Sequence, residues 1–291
     1  MVTFSRPIIV IAGSTASGKS NIAIKLAKDI NGVIINADSR QIYKELSIGT
    51  ARPSLKETNE VPHFLYGHIS VKENYSIYKY QKDVQKVLES LLVNQTPILV
   101  GGTGLYIDSI IFNYSLKKEE IDTKRRKQLS NLSVKELKEL INPDILNSLN
   151  ESDRDNPIRL IRLIEKGKKN EQRGKELTHK YFVLDLPRDE LNKKIEERVK
   201  RMIEEGLVEE NTEIRKENLG KHLALKTIGY QEFDEYFKGK KSLKEVEEEI
   251  IKNTCKYAKR QRTWFRKHKD ALWSSNYNLI LEESVKLIKT S

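Results

Sequence analysis

The sequence predicts an α/β fold: a parallel sheet flanked by helices, with a small helical subdomain inserted and a helical C-terminal region. Three observations predict it. Apolar runs alternate with helical patterns from Pro7 to Val100, a glycine-rich loop joins the first run to the first helix, and the alternation breaks near Ser115 before resuming at Lys180. Strand followed by helix followed by strand spells a parallel sheet covered on both faces. At 291 residues the chain can build one sizeable core and a subdomain.

Taken in order, the first expected strand is Pro7–Ala12, followed by the helix that starts at Ser20. Val33–Ala37, His63–Ile69 and Pro97–Val100 are the next expected strands, and Ser76–Leu92 is a helix whose apolar side carries Ile77, Val84, Val87, Leu88, Leu91 and Leu92. Residues 115–178 hold short polar helical patterns and no strand. Ser133-Val134-Lys135-Glu136 reads as a capping box, and Asn156-Pro157 as a helix start. Lys180–Leu186 resumes the strand signature, so residues 1–114 and 179–291 form the expected core and 115–178 the insertion. Beyond Pro187 the chain reads as helical. Ser242-Leu243-Lys244-Glu245 caps a helix expected to run to about Lys269.

Ligands of such sheets gather at the carboxyl ends of the strands. After the first strand stands Gly13-Ser14-Thr15-Ala16-Ser17-Gly18-Lys19-Ser20, a match to G-x-x-x-x-G-K-[ST]. Its glycines let successive backbone N–H groups face an oxyanion, Lys19 reaches the terminal phosphates, and the Ser20 hydroxyl can ligate Mg²⁺. The following helix adds its positive end at the same point. The sheet is therefore expected to be P-loop NTPase-like, but the motif does not separate a diphosphate from a triphosphate.

After the second strand comes Asp38-Ser39-Arg40-Gln41-Ile42-Tyr43. An Asp here suits a general base, a water-mediated Mg²⁺ ligand, or an ordinary turn or N-cap residue. After the fourth comes Gly101-Gly102-Thr103-Gly104, where the glycines bring backbone close to a ligand and Thr103 offers a hydroxyl at a helix start.

Lys and Arg outnumber Asp and Glu by 53 to 42, a formal +11, which suits a nucleic-acid binder and equally a Lys-rich surface. The single cysteine, Cys255, excludes a disulfide framework and a cysteine-based zinc module. No apolar run approaches a membrane span and no signal-peptide pattern stands at the N-terminus, so a cytoplasmic protein is expected. Lys252–Lys269 carries eight Lys or Arg and no acid. On a helical wheel Lys252, Lys256, Lys259, Arg260, Arg266 and Lys267 share one arc, and Tyr257, Ala258, Gln261, Trp264 and Phe265 take the other side. Such a helix fits a phosphate backbone, or is a solvated basic face.

Together these motifs resemble the bacterial tRNA dimethylallyltransferases, also called tRNA isopentenyltransferases. The resemblance rests on Gly13–Ser20, on Asp38–Tyr43 continuing to Ile48-Gly49-Thr50-Ala51-Arg52-Pro53, on Val61-Pro62-His63, and on Leu99–Tyr106. It continues through Arg159–Arg162, Ile228-Gly229-Tyr230, and Tyr257–Gln261 with Thr263–Arg266, and so covers nearly the whole chain. Ser14 stands where the family usually has Pro, Tyr66-Gly67 where many members have Ile-Asp, and Cys255 where Arg is usual.

The resemblance implies transfer of a dimethylallyl group from its diphosphate to N6 of the adenosine 3′ to the anticodon, in tRNAs reading codons that begin with U. It implies catalytic roles for Asp38 as base, Thr103 beside the target base, and Lys19 on the leaving group. The diphosphate would lie on Gly13, Ser14, Thr15, Ala16, Ser17, Gly18, Lys19 and Ser20, with Arg198 as a second contact and Mg²⁺ at Ser20. Asp38, Ser39, Arg40, Gln41, Thr103, Arg125, Ile158, Arg159, Leu160, Ile161 and Arg162 would face tRNA, and Lys256, Lys259 and Arg266 would meet its phosphates. The partners expected are tRNA and dimethylallyl diphosphate, with no membrane and a monomeric enzyme. Three other readings compete: a P-loop nucleotide or small-molecule kinase using ATP, a prenyltransferase acting on free AMP or ADP, and a non-catalytic RNA-binding P-loop protein.

Overall fold

The computed structural model describes residues 2–116, 122–166, 173–217, 219 and 222–290. The chain divides into two compact units, Met1–Tyr114 with Gly174–Ser291, and Ser115–Arg173.

The first unit begins with β1 (Ile8–Gly13), α1 (Lys19–Asp29) and β2 (Gly32–Asn36), then α2 (Leu55–Glu60) and β3 (His63–Phe64). α3 (Ile77–Ser90), β4 (Thr96–Gly101) and α4 (Gly104–Ile111) complete its N-terminal part. The β1, β2 and β4 runs are apolar at nearly every position because helices cover both faces of the sheet. Val10, Val33, Ile35 and Leu99 pack on one side with α3 and α4, and Ile9, Ile11, Ile34 and Ile98 on the other with α1. Each such buried aliphatic side chain contributes about 1.5–3 kcal/mol relative to an exposed one.

The second unit holds α5 (Thr123–Ser130), α6 (Val134–Glu139), α7 (Pro143–Asn147), α8 (Glu151–Arg154) and α9 (Pro157–Lys166). The Ser133–Glu136 capping box is formed, Pro143 opens α7 behind Asn142, and Asp122 caps α5. Its small core is Leu129, Leu137, Ile141, Leu160 and Ile161. The insertion, expected to reach residue 178, hands back to the first unit at Gly174. The Gly174 N–H donates to the Phe112 and Asn113 carbonyls, and the Leu177 N–H to Ile111.

β5 (His179–Leu184) then enters the sheet beside β1, followed by α10 (Arg188–Glu204), α11 (Leu207–Lys216), α12 (Leu243–Phe265), β6 (Leu272–Trp273) and α13 (Tyr277–Thr290). The sheet has the order β3-β2-β4-β1-β5-β6 and every pairing is parallel. With β1 central, the loops after β1, β2 and β4 open side by side at one sheet edge.

Several elements differ from the sequence reading. α3 stops at Ser90, where Leu91 turns extended, so Leu92, expected on its apolar side, is exposed, and β5 ends at Leu184 instead of Leu186. The strand expected over His63–Ile69 stops after Phe64, because Leu65 (φ 65°) and Gly67 (φ 51°) turn left-handed and leave the ladder. The released segment braces the loop after β2: Gly67 N–H donates to Gln41 O, His68 N–H to Ile42 O, and Asn36 Nδ2 to Leu65 O at 2.9 Å. α12 ends at Phe265 instead of near Lys269, with Lys267 N–H folding back on Trp264 O and His268 N–H on Phe265 O. β6, only two residues long, carries too little periodicity to be visible in the sequence.

Candidate active site

The loop between β1 and α1 has the backbone form of a phosphate loop. Ala16 (φ 62°) and Gly18 (φ 87°) are left-handed, the geometry that lets neighbouring N–H groups converge on an anion. Gly18 precedes α1 with no side chain capping the helix, so its first N–H groups stay free for an anion. The Ser17 hydroxyl is buried in this loop with no hydrogen-bond partner. Lys19 Nζ donates to the Ser14 carbonyl at 2.6 Å. Withdrawal from water lowers the Lys19 pKa from 10.5 to about 7; the Asp38 charge acts to raise it and Arg198 to lower it. An anion bound here restores the lost charge balance.

Asp38 and Thr103 meet at the ends of β2 and β4. Asp38 N–H donates to the Asn36 side chain at 2.8 Å, and Arg40 N–H donates to the Asp38 carboxylate at 2.8 Å, which fixes the turn. Thr103, at the N-cap of α4, leaves that helix uncapped and accepts from Ser39 N–H at 3.0 Å, while donating to Ser39 Oγ at 3.3 Å. The Tyr257 phenol lies near enough to the Thr103 hydroxyl for that group to oppose the rise in its pKa, which burial drives first and the Asp38 charge second. Gln41 commits its amide to the Thr50 and Ala51 carbonyls at 3.0 and 2.9 Å and so shapes the next loop.

Arg198 reaches across from α10. Its Nη1 donates to Thr15 Oγ1 at 3.2 Å and its Nη2 to the Thr50 carbonyl at 3.3 Å. Burial lowers its pKa and Asp38 opposes that shift. These groups border a cavity of about 420 Å³. Asp38, Thr103, Arg198, Arg40 and Arg260 supply its polar rim, and Ile195, Val199, Met202, Ile228 and Ile250 an apolar wall. Sequence reasoning misses this wall, because residues 195, 199 and 202 repeat at helical spacing like any core stripe. The one signal for it is that the same helix carries Arg198.

α12 lies against both glycine loops. Ser14 Oγ donates to Ala258 O at 3.3 Å, and a Cβ added to Gly104 would overlap the Trp264 indole. The indole itself donates to Asp108 at 2.9 Å. The expected division of this helix is present: Ala258, Gln261 and Phe265 are buried, and Lys252, Lys256, Lys259 and Arg260 are exposed, as are Arg266 and Lys267 just past its end. In the second unit Arg125, Ile158, Arg159 and Arg162 are exposed, and Arg159 pairs with Asp153. Leu160 and Ile161 require a correction. They are 0% and 7% exposed in the core of that unit, on the inner side of α9, so their side chains hold the helix instead of meeting RNA.

Among the described residues no group of three or more His, Cys, Asp or Glu could hold a metal ion. A divalent cation at the phosphate loop would therefore draw most of its oxygens from a diphosphate and water, with the Ser20 hydroxyl in the first turn of α1 as the protein ligand. The loop fits that arrangement. Among the described residues, too, no helix is long and apolar enough to cross a membrane.

The IPP transferase family model matches residues 41–268. A tRNA dimethylallyltransferase of Synechocystis sp. is 38% identical, over 97% of this chain and 96% of its own. One of Thermosipho africanus is 37% identical over 96% and 97%. The full-length tRNA isopentenylpyrophosphate transferase of Bacillus halodurans superposes with a TM-score of 0.74 at 29% identity, covering 98% of this chain and 96% of that one. A eukaryotic dimethylallyltransferase acting on tRNA superposes with a TM-score of 0.75 at 26% identity, covering 90% of this chain and 70% of its own. By sequence over nearly its whole length, and by a fold that brings the phosphate loop, Asp38 and Thr103 to one cavity, the chain belongs to the IPP transferase family.

Proposed function

We propose that this protein transfers a dimethylallyl group from dimethylallyl diphosphate to N6 of the adenosine 3′ to the anticodon of tRNA. The observation that carries the reading is a cavity whose rim joins a phosphate loop to a carboxylate and whose wall is apolar. A kinase needs the first of these but has no use for an apolar wall beside the phosphates. A free-nucleotide prenyltransferase has no use for a basic helix face.

The residues divide the reaction between them. The loop N–H groups and Lys19 hold the diphosphate, and Arg198 completes its enclosure. Mg²⁺ at Ser20, when bound, adds charge against the leaving oxygens. The five-carbon tail rests on Ile195, Val199 and Met202. The adenine amine attacks C1 of the allyl group as the C1–O bond breaks, and the electron pair leaves with the diphosphate. The N6 proton passes to the Asp38 carboxylate, which the Arg40 N–H keeps oriented. An adenosine inside an anticodon loop must leave its stack to reach Asp38 and Thr103. One chain supplies every group named, so a single copy can complete the site, and a monomer acting on cytoplasmic tRNA is the form we propose.

The test is incubation of the protein with Mg²⁺, labelled dimethylallyl diphosphate, and either unmodified tRNA or AMP. Label in tRNA at the adenosine 3′ to the anticodon is the expected result. Label in AMP alone, or in neither, overturns the reading.

A further inference from the structure

One buried side chain is tied to both halves of the site. Gln261 is 5% exposed. The Thr15 N–H of the phosphate loop donates to its Oε1 at 2.9 Å, and its Nε2 donates to the Gly102 carbonyl at 2.8 Å. Only one orientation of the amide satisfies an N–H on one side and a C=O on the other. The fit is tight, because a Cβ on Gly102 would overlap the Gln261 nitrogen. Thr15 lies within the loop that holds the leaving group, and Gly102 directly precedes Thr103.

We infer that Gln261 is a positioning residue that sets the spacing between the phosphate loop and the Thr103 loop, and hence between leaving group and acceptor amine. The inference rests on the prenyl-transfer reading. In that reaction the reactive carbon sits between an oxygen held by the first loop and a nitrogen held beside the second, so the loop spacing is the distance the reaction must close. An apolar side chain of the same volume would fill the space equally well and would leave Thr15 N–H and Gly102 O unheld. Misplacement of reacting groups by about 1 Å costs on the order of 10²-fold in rate.

Two variants test this. Gln261→Met keeps the volume and removes both hydrogen bonds. Its kcat is expected to fall by about 10²-fold while KM for each substrate stays within about threefold, since Gln261 is buried and does not line the cavity. Gln261→Glu supplies the conservative control. When protonated, its carboxyl accepts from Thr15 N–H and donates to Gly102 O as the amide does; when ionised, it repels Gly102 O. The ratio of its kcat to that of the wild type should rise as pH falls. A bracing role confined to stability would instead lower the melting temperature, leave the kcat of the folded fraction unchanged and give a flat pH ratio, and that result overturns the inference. The wild type in the same assay separates the two claims. If the wild type modifies tRNA and Gln261→Met matches its kcat, only the positioning role falls; if the wild type transfers nothing to tRNA, the function and the role built on it both fall.

Discussion

Arg198 on α10 donates to Thr15 Oγ1 in the phosphate loop across 183 residues of sequence, at 3.2 Å. The contact ties α10 to the loop, and the second guanidinium nitrogen, on the Thr50 carbonyl, anchors the reach. Arg198→Lys keeps a positive charge but loses the planar fork that makes both contacts at once. A charge-assisted hydrogen bond is worth about 1.5–3 kcal/mol, so kcat/KM for dimethylallyl diphosphate should fall by about 10–100-fold. Affinity for tRNA, measured without the diphosphate, should not change. An equal loss in both would show that Arg198 grips RNA.

Among the described residues, Asp38 is the one carboxylate on the polar rim of the cavity. Asp38→Asn preserves shape and still accepts from Arg40 N–H, but an amide cannot take the N6 proton. Both substrates should bind normally while kcat drops by roughly 10²–10⁴-fold, the range for loss of a general base. Single-turnover kinetics isolates that step, and an unchanged rate removes Asp38 from the chemistry.

The Lys19 pKa near 7 gives diphosphate binding a pH dependence with a definite sign. Below pH 7 the free protein already carries the Lys19 proton, and binding requires none. Above pH 7 the free protein has lost it and a bound anion must recover it, so affinity falls by up to about tenfold per pH unit. Stability moves the opposite way. Between pH 7 and the unfolded value of 10.5 the unfolded chain holds a proton the folded chain has lost, so the ligand-free fold gains stability as pH rises through that window. Lys19→Met should abolish both slopes, read by calorimetric titration with diphosphate and by thermal melts from pH 6 to 10. Slopes that persist in Lys19→Met would assign them to another group.

The parallel sheet, the phosphate loop and the carboxylate at Asp38 were legible in the sequence because each follows from a local pattern: an apolar run, a glycine spacing, a strand end. The division of α12 was legible for the same reason, since 3.6 residues per turn separates Lys256 and Lys259 from Ala258 and Gln261. What stayed hidden depends on residues far apart in the chain. Nothing near Gln261 indicates that its amide joins residues 15 and 102, and nothing near Met202 marks it as cavity wall. Leu160 and Ile161 show the reverse failure. A short block that resembles a binding motif contains core residues of its own helix, and motif resemblance does not distinguish the inner side from the outer.

The basic face of α12 provides the last test. Lys256, Lys259 and Arg266 are exposed, whereas the buried side is made by Ala258, Gln261 and Phe265. Changing the three cations to Gln therefore leaves the fold and the diphosphate site intact. If these cations contact RNA phosphates, tRNA affinity should weaken. The slope of log affinity against log salt should also shrink in magnitude by about 0.7–0.9 for each phosphate that no longer has a cation opposite it. Dimethylallyl diphosphate should bind as before, because no residue of the loop or cavity has changed. The measurement is a salt series of tRNA binding for wild type and triple variant side by side. Parallel lines with equal intercepts would make this face a solvated surface and move the RNA contacts elsewhere on the protein.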